Sequence, residues 1–328
     1  MLTYTKYDYL VFDTLNTAYL VFNHPDKIRE NKSELLSIQD KKIYKYFFRN
    51  FIEEVEFLKS KFLADNGEVV FLFDNYESRD ELKELLKPLS ASQNRRKVNP
   101  TYKSNRINQK YEFYNTVDVL RYYYLIQTSQ YHTARITNLE ADDLVPPCLN
   151  HISPNGSKNV LMITNDSDWC RYLTETTHYL PNLHDSPLDR SEFYTLNGYF
   201  PTEGKIVLSK IINGDTADNI DMVFPEFQPS LRNKIIDFFS DTQDFIINAN
   251  KLVDLKEFVI LIKERENDIR LAYQMLAAIP VSQQHFDAVY TIGRHSTTML
   301  ETLDKKLYPE RIEKTGFSFG ITIPRLDP

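Results

Sequence analysis

Acidic residues recur along this chain in short groups, at places where a fold could gather them. Asp13 closes the apolar run YDYLVF, and Asp74 closes EVVFLF. Glu140, Asp142 and Asp143 lie in NLEADDLV; Asp166 and Asp168 follow NVLMI in the stretch TNDSD; Asp215 and Asp218 belong to NGDTADNI. Each group alone has an ordinary explanation, because an Asp before a helix caps free backbone N–H groups and a second acid suits the helix dipole. Together they pose a charge problem. If the ends of the apolar runs share one edge, several carboxylates converge, and like charges in a partly dry site repel or force protonation. A divalent cation resolves this. Hard oxygen donors without histidine or cysteine favour Mg²⁺ or Mn²⁺ over zinc. Two such ions roughly 4 Å apart can clamp the attacking and leaving oxygens of a phosphodiester.

One stretch has the opposite charge. From Asn94 to Lys110, NRRKVNPTYKSNRINQK carries Arg95, Arg96, Lys97, Lys103, Arg106 and Lys110 without a single acid, in a chain of net charge −7 and sequence pI near 5.6. Such a stretch is either a solvated loop or a local grip for phosphates, since charge acts locally whatever the global sign.

The elements that must position these residues can be read from the apolar spacing. Tyr7–Phe12, Glu68–Phe73 and Asn159–Ile163 read as buried strands, each running into an acid. Helical spacing covers Ser33–Phe62, about Asn108 to Gln127, and Tyr194 to Ile212 as one or two helices, and it dominates from there to about residue 305. Strands alternating with helices imply a mostly parallel sheet covered on both faces, whose ligand groups gather at the carboxyl ends of the strands. With 328 residues, 42% of them hydrophobic, the chain can bury a sizeable core. No run of about 18 apolar residues suggests a membrane span, and MLTYTKYDYL lacks a signal-peptide pattern. The two cysteines, Cys148 and Cys170, show neither disulfide nor metal-ligand spacing. The expectation is a soluble cytoplasmic protein, in the host cytoplasm if encoded by a phage.

The order of these motifs resembles the 5′-nuclease superfamily of flap endonucleases and 5′→3′ exonucleases, and within it the bacteriophage ribonuclease H branch. The resemblance rests on VFDTLNTAY (11–19), VVFLFD (69–74), YKSNR (102–106), LEADDLV (139–145), ITNDSDWCRYL (163–173) and NGDTADNI (213–220). It implies an α/β fold with a PIN-like sheet domain over residues 1–205, including a basic arch or gateway at about 78–115. A helical DNA-binding region over 206–305, resembling a helix-three-turn-helix, and an irregular tail over 306–328 would follow. The implied activity is Mg²⁺-dependent hydrolysis with two Mg²⁺ or Mn²⁺ ions, near a 5′ single-stranded end or flap of DNA or on RNA–DNA hybrids, as in primer removal during replication or repair. Asp13, Asp74, Glu140, Asp142, Asp166, Asp168 and Asp215 would be metal ligands, directly or through water, with Asp143 and Asp218 in an outer shell. Asp13, Asp142 and Asp168 count among the catalytic residues with Lys103 and Arg106, the arch-base cations that steer the scissile phosphate. Arg95, Arg96, Lys97 and Lys110 would help draw in a single strand, and Tyr102 would stack on a terminal base or pack the arch base. The resemblance also admits a single-strand-binding or sliding-clamp protein as a partner.

Three departures accompany it. IDMVFPEFQPSLRNK after Asn219 lacks the glycine-rich hairpin with which many members hold duplex phosphate, leaving Arg232 and Lys234 as substitutes or as solvated charges. Pro146–Pro147 require the acidic turn either to be short, with a helix restarting at the prolines, or to kink. RNKIIDFF (232–239) faintly resembles a clamp-binding box but reads better as an amphipathic core helix. Rival readings are a haloacid-dehalogenase-type phosphatase with Asp13 as nucleophile, a catalytically inactive junction-binding module, and a PIN-type ribonuclease acting on single-stranded RNA. The phosphatase needs a strand before Gly214, whereas KIVLSKIIN is spaced as a helix.

Overall fold

Three runs of consecutive apolar residues build the centre of the molecule. The structure, a computed structural model, describes residues 5–22, 41–74, 95, 99–100, 131–136 and 139–295. The strands are β1 (Tyr7–Asp13), β2 (Leu63–Leu72), β3 (His132–Ala134), β4 (Val160–Ile163) and β5 (Thr177–Leu180). They form one five-stranded sheet in the order β3-β2-β1-β4-β5, and every pairing is parallel.

Side chains alternate between the two faces of the sheet, as a pleated strand requires. Leu10, Phe12, Val69, Phe71, Leu161 and Ile163 pack with α1 (Thr14–Phe22) and α2 (Lys41–Phe62). Val11, Val70, Leu72, Val160 and Met162 pack on the other side, with α3 (Val145–Ile152) and α4 (Arg190–Asn197) contributing Cys148 and Phe193. Burial on both faces explains why these strands read as unbroken apolar runs.

The third core belongs to helices. α5 (Glu203–Asn213), α6 (Pro229–Phe238), α7 (Thr242–Asn248), α8 (Val259–Glu264) and α9 (Glu266–Leu276) enclose Val207, Ile211, Phe224, Phe239, Phe245 and Ile269. α10 (Gln283–His295) returns to the sheet, where Phe286 and Tyr290 join the second core and Tyr290 stacks on His132 of β3 with ring centroids 4.7 Å apart. RNKIIDFF supplies most of α6, with Ile235 and Ile236 buried, in keeping with a core helix. Among the described residues no helix is long and apolar enough to cross a membrane.

The register places the acids. Asp13 ends β1 opposite Leu72, so Asp74 stands just beyond the same edge; Ile163 pairs with Phe12, which puts Thr164 level with Asp13. All three strands therefore deliver their acids to the carboxyl edge of the sheet.

Candidate metal centre

Asp13, Asp166 and Asp215 are each held by their own local backbone, and this is where the capping explanation holds. Asp13 Oδ1 accepts the Asn16 N–H at 3.1 Å, and Asp166 Oδ1 accepts the Asp168 N–H at 2.9 Å. Asp215 Oδ1 accepts from Ala217 and Asp218 at 2.9 and 3.2 Å. These bonds use one oxygen of each of these three carboxylates and so restrict its orientation. Capping and site building are compatible, oxygen by oxygen.

The groups are then linked across the edge. Thr164, wholly buried, donates its hydroxyl to Asp13 Oδ2 at 3.0 Å and accepts the Asp166 N–H at 3.0 Å. Asn165 and Asn16 pair reciprocally and tie the turn after β4 to the start of α1. Asp74 Oδ1 accepts the Ala141 N–H at 2.7 Å, joining the end of β2 to the acidic turn. Trp169, fully buried in the second core, anchors the turn that carries Asp168; burial of a side chain this large is worth about 3 kcal/mol.

The acidic turn itself is short. Ala141–Leu144 form one 3₁₀ turn, and α3 restarts at Val145 with the proline pair in its first turn, where a missing N–H costs nothing. Asp143 is fully buried: its Oδ2 accepts the Glu140 N–H at 3.1 Å, and its Oδ1 accepts the Ile279 N–H at 2.8 Å. Asp142 is the exception to this saturation, because its Oδ1 is buried and meets no hydrogen-bond donor.

Cations sit among these acids. Arg95, only 3% exposed, pairs with Glu140 and sets Nη2 2.8 Å from Asp143 Oδ1 and 3.5 Å from Asp142 Oδ2. Its placement differs from that of a residue drawing a strand through an arch, because its guanidinium is spent on the acidic turn and turned away from solvent. Lys210, on α5, bridges Asp168 and Asp215, lying 2.5 Å from Asp215 Oδ2. Arg171 lies 3.0 Å from Asp168 Oδ2.

The residual field is strongly negative. Burial, reinforced by Asp74 and Asp166, raises the Asp13 carboxyl well above its ordinary pKa, against the hydrogen bonds from Asn16 and Thr164. Burial and the neighbouring Asp168 push Asp166 up to about 7, with Asp142 adding to the rise and Lys210 opposing it. Asp143 is likewise pushed up to about 7 by burial and Asp142, with Arg95 pulling the other way. For Lys210, burial works to lower the pKa, but Asp168, Asp215 and Asp166 outweigh it and hold the ammonium charged. Strand-end acids and acidic turn thus lie within electrostatic reach of one another.

As they stand, no three His, Cys, Asp or Glu side chains among the described residues form a ready ion cage. Lys210 and Arg95 occupy positions between the carboxylates instead. The donor set nevertheless fits a hard divalent ion: carboxylates only, a buried orphan oxygen on Asp142, and neighbours raised in pKa by burial and then by one another's charge.

Asp215 depends on its loop. Gly214 holds φ +76°, and a Cβ there would meet Met222 N at 3.0 Å and Ile220 O at 3.2 Å. Only glycine fits that backbone. Asp215 and Ile220 pair as an antiparallel bridge, and Asp218, mostly buried, lies inside the loop. Arg96, Lys97, Tyr102, Lys103, Arg106 and Lys110 lie outside the described residues, as does the helix expected from about Asn108 to Gln127. Lys210 and Arg171 are site residues that sequence reasoning missed. The one available signal for Lys210 was a lysine four residues after the buried Ile206, on the turn of an amphipathic helix that leads into Asp215.

The sequence matches no family model and no curated protein. Solved structures do resemble it. Bacteriophage T5 5′-exonuclease with divalent metal ions (zinc) bound has a TM-score of 0.57 at 16% identity, covering 93% of this chain and 98% of that one. A bacteriophage T5 flap endonuclease variant in a complex with DNA and metal ions has a TM-score of 0.55 at 16% identity, covering 92% and 98%. At that identity the likeness carries the fold: this chain folds as those 5′-nuclease structures do, in agreement with the mostly parallel PIN-like sheet expected from its sequence.

Proposed function

We propose that the protein is a metal-dependent, structure-selective 5′ nuclease, cutting DNA near a 5′ single-stranded end or flap and extending to RNA–DNA hybrids. The observation that carries this reading is the convergence of Asp13, Asp74, the Glu140–Asp143 turn, Asp166, Asp168 and Asp215 on one edge of a fold shared with metal-bound and DNA-bound nucleases. When bound, a pair of Mg²⁺ or Mn²⁺ ions supplies activation of water and neutralisation of charge on the phosphodiester.

The chain's residues supply the frame. Asp13, Asp74, Glu140, Asp142, Asp166, Asp168 and Asp215 would hold the ions, with Asp143 and Asp218 behind them. Backbone caps engage one oxygen each of Asp13, Asp166 and Asp215, and Thr164 holds the second oxygen of Asp13, so these three carboxylates are oriented by the fold itself. Lys210 and Arg95 balance charge in the metal-free chain. Lys103 and Arg106 would meet the scissile phosphate, and Arg96, Lys97, Tyr102 and Lys110 would hold the single strand. Residues 1–205 would act as the nuclease unit and 206–305 as the DNA-binding helices. A single-strand-binding or clamp protein is a compatible partner, and a cytoplasmic setting suits the free thiols of Cys148 and Cys170.

The phosphatase alternative loses its main support, because residues before Gly214 form the helix α5 where that fold needs a strand. The test is a panel of 5′-labelled flap, nicked, blunt and RNA-primed duplexes with Mg²⁺ and with chelator, alongside a small phosphomonoester. Metal-dependent release from the 5′ side supports the proposal. Cleavage of the phosphomonoester alone, or binding of junctions without any cleavage, would overturn it.

A further inference from the structure

Arg171 is 4% exposed, in a turn whose neighbours are acids and core. Its Nε donates to the Asp168 carbonyl at 2.7 Å, its Nη1 donates to the Leu276 carbonyl at 3.0 Å, and its Nη2 lies 3.0 Å from Asp168 Oδ2. The last contact is ionic without being an aligned hydrogen bond. Burying a guanidinium costs several kcal/mol unless its donors are used. Charge balance alone does not account for it, since Lys210 already pairs with Asp168. A planar fork, unlike an ammonium, fixes the orientation of what it grips.

Leu276 is the last residue of α9, so Arg171 connects Asp168 to the carboxyl end of a helix more than a hundred residues away. The same connection between α9 and α10 reaches the other acidic group, for Ile279 donates its N–H to Asp143. Residues 276–279 therefore touch both halves of the site.

We propose that Arg171 is a positioning residue that sets the Asp168 carboxylate against the end of α9, making the metal-holding geometry depend on the seating of the helical region. This rests on Asp168 being a metal ligand. The sign of one measurement separates positioning from simple charge. Arg171→Met removes a positive charge beside Asp168, which by electrostatics alone tightens cation binding. Loss of an orienting partner instead weakens it, typically ten- to a hundredfold.

The experiment is Mn²⁺ titration of the full chain, without DNA, by calorimetry and electron paramagnetic resonance, for the wild type, Arg171→Met, Arg171→Lys and Asp168→Asn. Weakening by roughly tenfold or more in Arg171→Met, with a fall in kcat and little change in KM for DNA, is the expected result. Mn²⁺ affinity that is unchanged or tighter in Arg171→Met overturns the positioning role. Arg171→Lys keeps the charge but cannot span the same acceptors, so it should bind Mn²⁺ several-fold more weakly. If Arg171→Met does not fold, wild-type affinity in Arg171→Lys overturns the proposal by itself. Wild-type Mn²⁺ binding that is indifferent to Asp168→Asn removes the underlying metal reading and the Arg171 role with it.

Discussion

Replacing Lys210 by methionine should destabilise the metal-free protein and leave the metal-bound protein nearly unchanged. Lys210 is 17% exposed at its side chain and bridges Asp168 and Asp215, themselves 7% and 9% exposed. Removing one partner of a buried ion pair costs about 3–5 kcal/mol. Partial exposure and the Arg171 contact that remains on Asp168 reduce this to about 2–3 kcal/mol. For a chain of this size that is a fall in melting temperature of roughly 3–4 °C. Methionine keeps the volume and apolar stem, so α5 should still pack. Mn²⁺ at saturation takes over the neutralisation, and the difference should shrink to below about 2 °C. The assay is paired thermal melts of wild type and variant in chelator and in Mn²⁺. An equal fall in both conditions would mean that Lys210 is a structural lysine unrelated to any ion, and no fall in chelator would mean that the bridge carries no stability.

Asp13→Ala and Asp168→Ala should each abolish cleavage of a 5′-labelled flap while circular dichroism shows the fold intact; full activity in either would defeat the site assignment. Since Asp166 and Asp143 are pushed up to about 7 from an unfolded value near 4, the folded metal-free chain holds protons that the unfolded chain has released, and stability falls as pH rises through that window. Melting should therefore be higher at pH 5 than at pH 8 in chelator, with the difference reduced in Asp166→Asn, and a flat profile would contradict the burial of these charges. Gly214→Ala should cost about 1–3 kcal/mol and lower cleavage with it, because φ +76° and the crowding by Met222 displace the Asp215 loop; calorimetric melting and single-turnover rates measure both. Lys103→Ala should slow the single-turnover step more than it weakens DNA binding, and binding by the wild type should weaken steeply with salt.

The central strands were legible because burial on both faces leaves unbroken apolar runs, as in LVF of β1 and VVFL of β2. The edge strands were not: β3 is only His132–Ala134, and THYL of β5 mixes polar and apolar residues. The first half of β2, LADNG, is only partly buried and interrupts its apolar residues with Asp65, Asn66 and Gly67, so it gives no continuous apolar run. The strand-end positions of Asp13, Asp74 and Asp166 were legible, because parallel topology brings those ends to one edge. The cations among the site's acids were not, since Arg95 sits in a basic run that looks solvent-facing and Lys210 finds acids distant in sequence. The return of α10 to β3 was equally hidden, as helical spacing shows which face is apolar but not what it meets.

Manganese-edge anomalous diffraction from crystals soaked in Mn²⁺ tests the central claim most directly. The account predicts peaks among Asp13, Asp74, Glu140, Asp142, Asp166, Asp168 and Asp215, with the Lys210 ammonium displaced from Asp168. Carboxylates still paired with Lys210 and Arg95, and no anomalous density among them, would contradict it.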